Sequence, residues 1–173
     1  MSTPSLEAIP RLKKDVLVVG SGAAGYGAAV SLCQEGVRDL AVVTESRLSG
    51  TSRNTGSDKQ TYYKLTLSGA EPDSVRQMAQ SLYRGQLVDG DHALTEAALS
   101  VRAFNRLVHY GVPFPHTAYG EYVGYKTDHD PLERATSVGP YTSRAMTEAL
   151  ERAVIVQEIP ILDRLLVVKI LTR

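Results

Sequence analysis

DVLVVGSGAAGYGAAVSLCQEGVRDLAVVTE, residues 15–45, decides the fold. Its opening, Val16-Leu17-Val18-Val19, is a short continuous run of apolar, mostly β-branched residues, the pattern of a central parallel strand buried on both faces. A glycine turn follows at once. Over residues 23–35 small and apolar side chains recur at helical spacing, Ala24, Ala28 and Leu32 with Ala29 and Cys33 beside them. Gly36 then stands where a helix C-cap glycine belongs. Leu40-Ala41-Val42-Val43 supplies a second strand. Strand, helix and strand fit within about 30 residues, the length of one βαβ unit.

Gly20-Ser21-Gly22-Ala23-Ala24-Gly25 fits the pattern G-x-G-x-x-G. Small-residue runs of this kind are common, but this one follows a strand and opens a helix, which gives each glycine a task. Gly20 makes the tight turn, Gly22 lets a pyrophosphate approach the backbone, and Gly25 permits close packing of helix on strand. A pyrophosphate there rests on free N–H groups and the positive end of the helix dipole. The unit therefore reads as a dinucleotide site. An acceptor for the ribose hydroxyls is expected about 20 residues further on, at the end of the second strand. Thr44 and Glu45 stand there. Glu45 has two readings, a ribose contact or a solvated strand-end charge. Arg47 close behind leaves room for a 2′-phosphate, which the acidic Glu45 disfavours.

Bulk composition agrees with a small-molecule partner. Lys plus Arg and Asp plus Glu both number 19, so no basic excess draws nucleic acid or an anionic membrane surface. The single cysteine, Cys33, excludes an internal disulfide and falls at an apolar helical position, where it reads as core packing. With no apolar leader in residues 1–14 and no apolar run long enough to cross a bilayer, a soluble, cytoplasmic protein is expected. The length of 173 residues suits one domain, residues 15–173, behind an N-terminal extension, 1–14.

Residues 46–69 turn to Ser, Thr, Gly, Asn and charged types with no usable period beyond Tyr62-Tyr63-Lys64-Leu65. Polar stretches of that length inside a compact domain are usually functional or disordered. One helix is predicted over residues 73–87, with Val75, Met78, Ala79 and Leu82 on one face. Another is predicted over 92–109, with a buried stripe of Leu94, Ala97, Ala98, Val101, Phe104, Leu107 and Val108, ended by Gly111. Residues 113–139 read as irregular. A further helix spans about 142–156, and two apolar segments, 158–162 and 165–171, close the chain as strands. The last has no hairpin partner to cover its edge, so the chain is expected to be a fragment of a longer domain.

With these pieces placed, residues 15–44 resemble the N-terminal FAD-binding unit of the fumarate reductase/succinate dehydrogenase flavoprotein superfamily, which also includes L-aspartate oxidase and adenylylsulfate reductase. Ser49-Gly50-Thr51-Ser52-Arg53-Asn54-Thr55-Gly56-Ser57 takes the place of that family's Gly/Ser-rich segment along the flavin ring system. Gly111-Val112-Pro113-Phe114 is similar to a motif after one of its helices, and residues 141–151 to the helix that follows. Residues 158–171 resemble its third parallel strand and the first strand of an antiparallel meander.

The resemblance implies an α/β, Rossmann-like FAD/NAD(P)-binding fold, a parallel sheet with the start of a β-meander in an incomplete domain. Residues 46–140 would carry the flavin-contacting loop and inserted helices. It implies FAD, held by Gly20, Ser21, Gly22, Ala23, Ala24 and Gly25, by Thr44 and Glu45, and by Thr51, Ser52, Arg53, Asn54, Thr55, Gly56 and Ser57. The implied reaction is flavin-dependent oxidoreduction of a small molecule, a hydride passing between a substrate carbon and flavin N5, with enoates of the fumarate kind as the first substrate class. Several family members link FAD covalently through a histidine in the Gly/Ser segment; residues 52–57 contain none, which implies noncovalent FAD. The family's second FAD contact and its substrate-binding His and Arg residues lie beyond residue 173. No catalytic residue is assigned, and a further C-terminal region or a partner chain would complete the site. Two alternatives stand beside this reading: an NAD(P)-dependent dehydrogenase, and a non-catalytic dinucleotide-binding fragment or subunit.

Ser57-Asp58-Lys59-Gln60 puts a charged pair either beside the flavin edge, where it would tune the ring, or in a solvated loop. Thr127-Asp128-His129-Asp130 has metal-ligand residue types, but neighbouring residues face different ways, and Asp side-chain turns before Pro131 account for it better. No metal site is assigned. Arg134, Arg144 and Tyr141 are candidates for substrate contact, with surface ion pairs as the plainer role. His92 is placed near a helix N-terminus, while His109 and His116 have no triad partners at recognisable spacing.

Overall fold

In the computed structural model, residues 11–57, 60–128 and 130–172 are described. They run β1 (Val16–Val19), α1 (Ala23–Gln34), β2 (Leu40–Val43), α2 (Thr51–Asn54), β3 (Tyr62–Tyr63), α3 (Val75–Tyr83), α4 (Gly90–His109), β4 (Tyr125–Thr127), β5 (Asp130–Thr136), α5 (Thr142–Val156) and β6 (Ile161–Leu162). The N-terminal extension and the charged pair Asp58-Lys59 fall largely or wholly outside the described residues, as does His129.

The expected βαβ unit forms. β1 and β2 pair in parallel from Val16 opposite Leu40 to Val19 opposite Val43, and β6 joins β2 in parallel, so the sheet order is β1-β2-β6. All four residues of the central β2 are buried. β1 departs from expectation: Val16 and Val18 pack on the helical core, but Leu17 and Val19 alternate to the other face and stay 49% and 59% exposed. Period-two alternation leaves that face without cover among the described residues.

α1 buries Tyr26, Ala29, Val30 and Cys33, the i, i+3, i+4, i+7 set, against Leu40, Val42 and the α5 residues Leu150, Ala153 and Val154. The predicted face was rotated, since Ala24 and Ala28 are exposed. Alanines mark a helix without saying which side is apolar, whereas Tyr26 and Val30 remove far more area from water. Gly36, at φ +95°, donates to Cys33 O at 3.1 Å and ends the helix as predicted.

α4 starts at Asp89, whose Oδ1 accepts from the N–H groups of Asp91 (3.0 Å) and His92 (3.1 Å). Its buried set is Ala93, Ala97, Ser100, Phe104 and Leu107; Leu94 and Ala98 of the predicted stripe point outward. Phe104 anchors an aromatic cluster with Phe114 (centroids 4.8 Å apart), Tyr122 (5.0 Å) and Tyr62 (5.8 Å), which explains the Gly111-Val112-Pro113-Phe114 motif as a packing element.

Two corrections concern strands. The stretch 113–139 is not wholly irregular: β4 and β5 pair antiparallel, and β3 adds to β5 with Tyr62 opposite Thr136 and Tyr63 opposite Ala135. Conversely, residues 163–172 form no strand, so the start of a meander is absent from the described chain. Leu165 N–H reaches Thr44 O at 3.0 Å, but Leu166, Val168, Ile170 and Leu171 are exposed, with no antiparallel neighbour among the described residues to complete a ladder.

Arg134 of β5 is wholly buried. Its Nε and Nη2 donate to both oxygens of Asp73 (2.8 and 2.6 Å), and Nη1 donates to Asp130 Oδ2 (2.8 Å), Ser81 Oγ (2.9 Å) and Tyr63 Oη (3.1 Å). Tyr63 Oη in turn donates to Asp130. Neither a substrate contact nor a surface ion pair, Arg134 fastens the antiparallel sheet to the start of α3.

Candidate functional site

The strand-to-helix turn has the geometry that its glycines demand. Gly20 sits at φ +106°, a conformation side chains disfavour, and its N–H donates to Val43 O at 2.8 Å. A Cβ on Gly25 would lie 2.0 Å from the carbonyl oxygen of Gly20, so only a hydrogen fits where helix crosses strand. Gly22 is the N-cap of α1, and no side chain caps the helix or places a carboxylate in its first turn. The first intrahelical bond runs from Tyr26 N–H to Gly22 O at 3.0 Å. The N–H groups of Gly22, Ala23, Ala24 and Gly25 thus carry no intrahelical partner. They gather positive potential at one point, ready for an anion.

Three further pieces converge on this turn. Ser21 Oγ and Thr44 Oγ1 hydrogen-bond at 2.8 Å in a buried contact that ties the end of β2 to the turn, and each also reaches Ser46 O at 3.3 Å. Glu45 is exposed at the strand end. A Cβ on Gly22 would come 3.2 Å from Ser52 Oγ, so the 49–57 segment crosses directly against the bare backbone of the turn.

That segment is more ordered than its composition suggests. Thr51–Asn54 forms the one-turn helix α2, begun by Gly50 at φ +93° and braced by the Asn54 amide, which donates to Leu48 O (2.9 Å) and Gly50 O (3.1 Å). Thr55 N–H bonds Thr51 O at 3.0 Å, Gly56 lies against the Tyr141 ring, and Ser57 N–H donates to Pro140 O at 3.0 Å. Gln60 and Ser143 exchange two bonds, of 2.9 and 2.8 Å. The segment is thereby pinned along the start of α5. Tyr141 itself is exposed and stacks on Arg144, which pairs with Glu148 at 3.7 Å.

Sequence reasoning missed the group that holds these pieces together. Glu151 of α5, with a side chain only 13% exposed, accepts from Arg47 Nε (3.1 Å) and Nη2 (2.9 Å), from Arg53 Nη2 (2.5 Å) and from the Tyr26 hydroxyl (3.1 Å). Burial pushes the Glu151 carboxyl up, but the hydrogen bonds from Arg47 and Arg53 outweigh it and hold the group below the usual carboxylate range. Burial, with the Glu151 charge beside it, pushes the Tyr26 phenol up. Arg47 has its guanidinium on Glu151 and its backbone N–H on Asp163 Oδ1 (3.0 Å). Among the described residues no three His, Cys, Asp or Glu side chains gather as a metal site. Nor is any described helix long and apolar enough to cross a membrane.

A sequence model of the family described as FAD binding domain matches residues 15–173. Among solved structures, Mycobacterium smegmatis Sdh1 in complex with UQ1 aligns at TM-score 0.71 and 21% identity over 87% of this chain and 27% of that one. A mutant of E. coli quinol fumarate reductase FrdA aligns at TM-score 0.72 and 17% identity, over 87% and 26%. The 3-ketosteroid-delta4-(5alpha)-dehydrogenase from Rhodococcus jostii RHA1, in complex with 4-androstene-3,17-dione, aligns at TM-score 0.68 and 18% identity, over 92% and 40%. At these identities the likeness is one of fold, and the chain spans well under half the length of each. No curated protein matches.

Proposed function

This chain belongs to the FAD binding domain family, whose cofactor is FAD, and we propose that it forms the nucleotide-holding part of a flavin-dependent oxidoreductase of the fumarate reductase/succinate dehydrogenase type. The observation that carries the reading is the bare turn itself. Four N–H groups, from Gly22 to Gly25, stand without an intrahelical partner at a helix end that no side chain caps among the described residues, and Ser52 faces Gly22 across a gap that a Cβ would narrow. These residues fit the dinucleotide. The turn would hold the pyrophosphate, Thr44 and Glu45 would flank the ribose, and residues 51–57 would run along the ring system. Bound FAD supplies the hydride acceptor or donor at N5, and the protein supplies position and electrostatics.

No residue of this chain is assigned to substrate chemistry. A further region or a partner chain brings the second FAD contact and the substrate groups, and an enoate of the fumarate kind is the substrate class. FAD is held noncovalently, since residues 52–57 offer no histidine for a link to the flavin. A cytoplasmic setting accords with the lone, buried thiol of Cys33. The test is flavin release. The chain is loaded with excess FAD, then desalted or acid-precipitated, and flavin absorbance is followed. All flavin should leave the protein on precipitation, and most should leave on desalting unless a longer chain is used. Flavin that stays with the acid-precipitated polypeptide, or tight stoichiometric retention by this chain alone, would overturn the noncovalent, half-site reading.

A further inference from the structure

The hub on α5 lies outside every motif that identified the site, yet it touches each element that builds it. Glu151 reaches α1 through the Tyr26 hydroxyl (3.1 Å), the loop after β2 through Arg47 (2.9 Å), and α2 through Arg53 (2.5 Å). Tyr26 follows the last residue of the glycine turn, and Arg53 follows Ser52, which faces Gly22. One carboxylate therefore sets the distance between the phosphate turn and the segment that crosses it.

The charge balance carries the argument further. Two guanidinium groups share Glu151; Glu148 lies farther from Arg53 Nη1, at 3.7 Å, and is 44% exposed. Arg53 is 7% exposed, and its Nε is a buried N–H with no hydrogen-bond partner among the described residues. An orphaned cationic donor at that depth is costly unless an acceptor meets it. Arg53 therefore depends on its ion pair with Glu151 to stay in place, one residue from the contact of Ser52 with Gly22.

We propose that Glu151 is a positioning residue for FAD: by holding Arg53, Arg47 and Tyr26 together it fixes Ser52 against Gly22 and so sets the spacing of the turn that the dinucleotide's phosphates meet. The inference rests on the FAD reading of the turn. It assigns Glu151 no contact with the cofactor, because both of its oxygens are already occupied by Arg47, Arg53 and Tyr26. Its effect passes through Arg53.

The test uses the full chain as wild type, Glu151→Gln, Arg53→Gln and the double variant, with Asp39→Asn in the part-buried Lys14–Asp39 pair as control. FAD affinity is read by flavin fluorescence, melting is recorded without nucleotide, and hydrogen exchange is followed at the amides of residues 50–55 in the nucleotide-free chain. Each single hub variant should weaken FAD by about tenfold or more, as loss of a charge-assisted hydrogen bond does. The double variant should be little worse than either single one, since the two residues act as one unit. Exchange at residues 50–55 should quicken in Glu151→Gln and not in Asp39→Asn. Glu151→Gln that melts lower yet binds FAD within twofold of wild type is merely structural and overturns the proposal, as does a double variant whose losses multiply. If wild type takes up no FAD, the proposed function fails. The positioning role falls with it; where wild type binds FAD, unchanged exchange at residues 50–55 in Glu151→Gln overturns the positioning role alone.

Discussion

Gly25→Ala puts the turn under a defined strain. The added Cβ would lie 2.0 Å from Gly20 O and 2.9 Å from its carbonyl carbon, whereas ordinary contact begins at 3.4 Å, so backbone must separate by about 1.4 Å (3.4 less 2.0). Gly20 is poorly placed to yield, at φ +106° with its N–H on Val43 O at 2.8 Å. Overpacking costs about 1–3 kcal/mol, and a weakened Gly20–Val43 bond adds about 1 kcal/mol. Alanine's better helix propensity returns about 1 kcal/mol. The net loss is about 1–3 kcal/mol, a fall in Tm of about 2–12 °C for a chain of this size. Because the shift moves the phosphate turn by more than the tolerance of a hydrogen bond, FAD affinity should fall with it. Gly27→Ala is the internal control: the same helix, nothing within 4 Å of the added Cβ, and an expected gain of about 0.5–1 kcal/mol. Circular-dichroism melts and FAD titration of the two variants decide the matter. Gly25→Ala melting within a degree of wild type with unchanged FAD affinity would refute the reasoning.

Arg134→Met should cost about 3–5 kcal/mol in urea unfolding, because Asp73 and Asp130 are left buried without their cation; a loss below 1 kcal/mol would show that water reaches them. Burial raises the Asp73 carboxyl, but its bonds from Arg134 and from the backbone N–H groups of Thr66 and Ser74 win, so its folded pKa lies below the ordinary 3.8. Its stabilisation is therefore complete above about pH 4 and is lost as pH falls through the lowered folded value. Asp73→Asn should flatten the acid limb of the stability profile, and an unchanged slope there would exclude the pair as its source. Lys64 is wholly buried, with Nζ 4.8 Å from the Phe104 ring centroid and no carboxylate partner among the described residues. Burial lowers its amine below 10.5, so the unfolded chain binds more protons in that window and stability climbs with pH toward 10.5. Lys64→Met should remove that climb and leave neutral-pH stability equal or higher. A loss of more than about 1 kcal/mol would mean that the cation–π contact outweighs the burial cost.

The elements most legible from the residues were those whose pattern is local. β1, β2 and α5 lie at the residues where they were expected, and the glycine turn carries its steric logic in three positions. Helix faces were read less well. Ala24 and Ala28 drew the predicted stripe of α1 away from Tyr26, and Leu94 did the same in α4, where Ala93 is the buried residue. β4 and β5 were hidden because β5 contains Asp130, Glu133 and Arg134, charges that look like loop until Asp73, 61 residues away, buries one of them. The Glu151 hub had no sequence signal at all, since Arg53 and Arg47 lie 98 and 104 positions from it and meet it only when α5 packs on α1 and α2. The segment 165–171 reads as a strand by composition, but a strand exists only with a neighbour to bond.

The most direct test of the central claim is a melting-temperature titration of the full chain with FAD, NAD and NADP in parallel. Ligand at ten times its dissociation constant stabilises by about 1.4 kcal/mol, or about 3–6 °C here. A saturable upward shift with FAD that exceeds the shift with either nicotinamide nucleotide is the expected result. No shift at millimolar FAD, or a larger and saturable one with NADP, would contradict the assignment of this turn to a flavin cofactor.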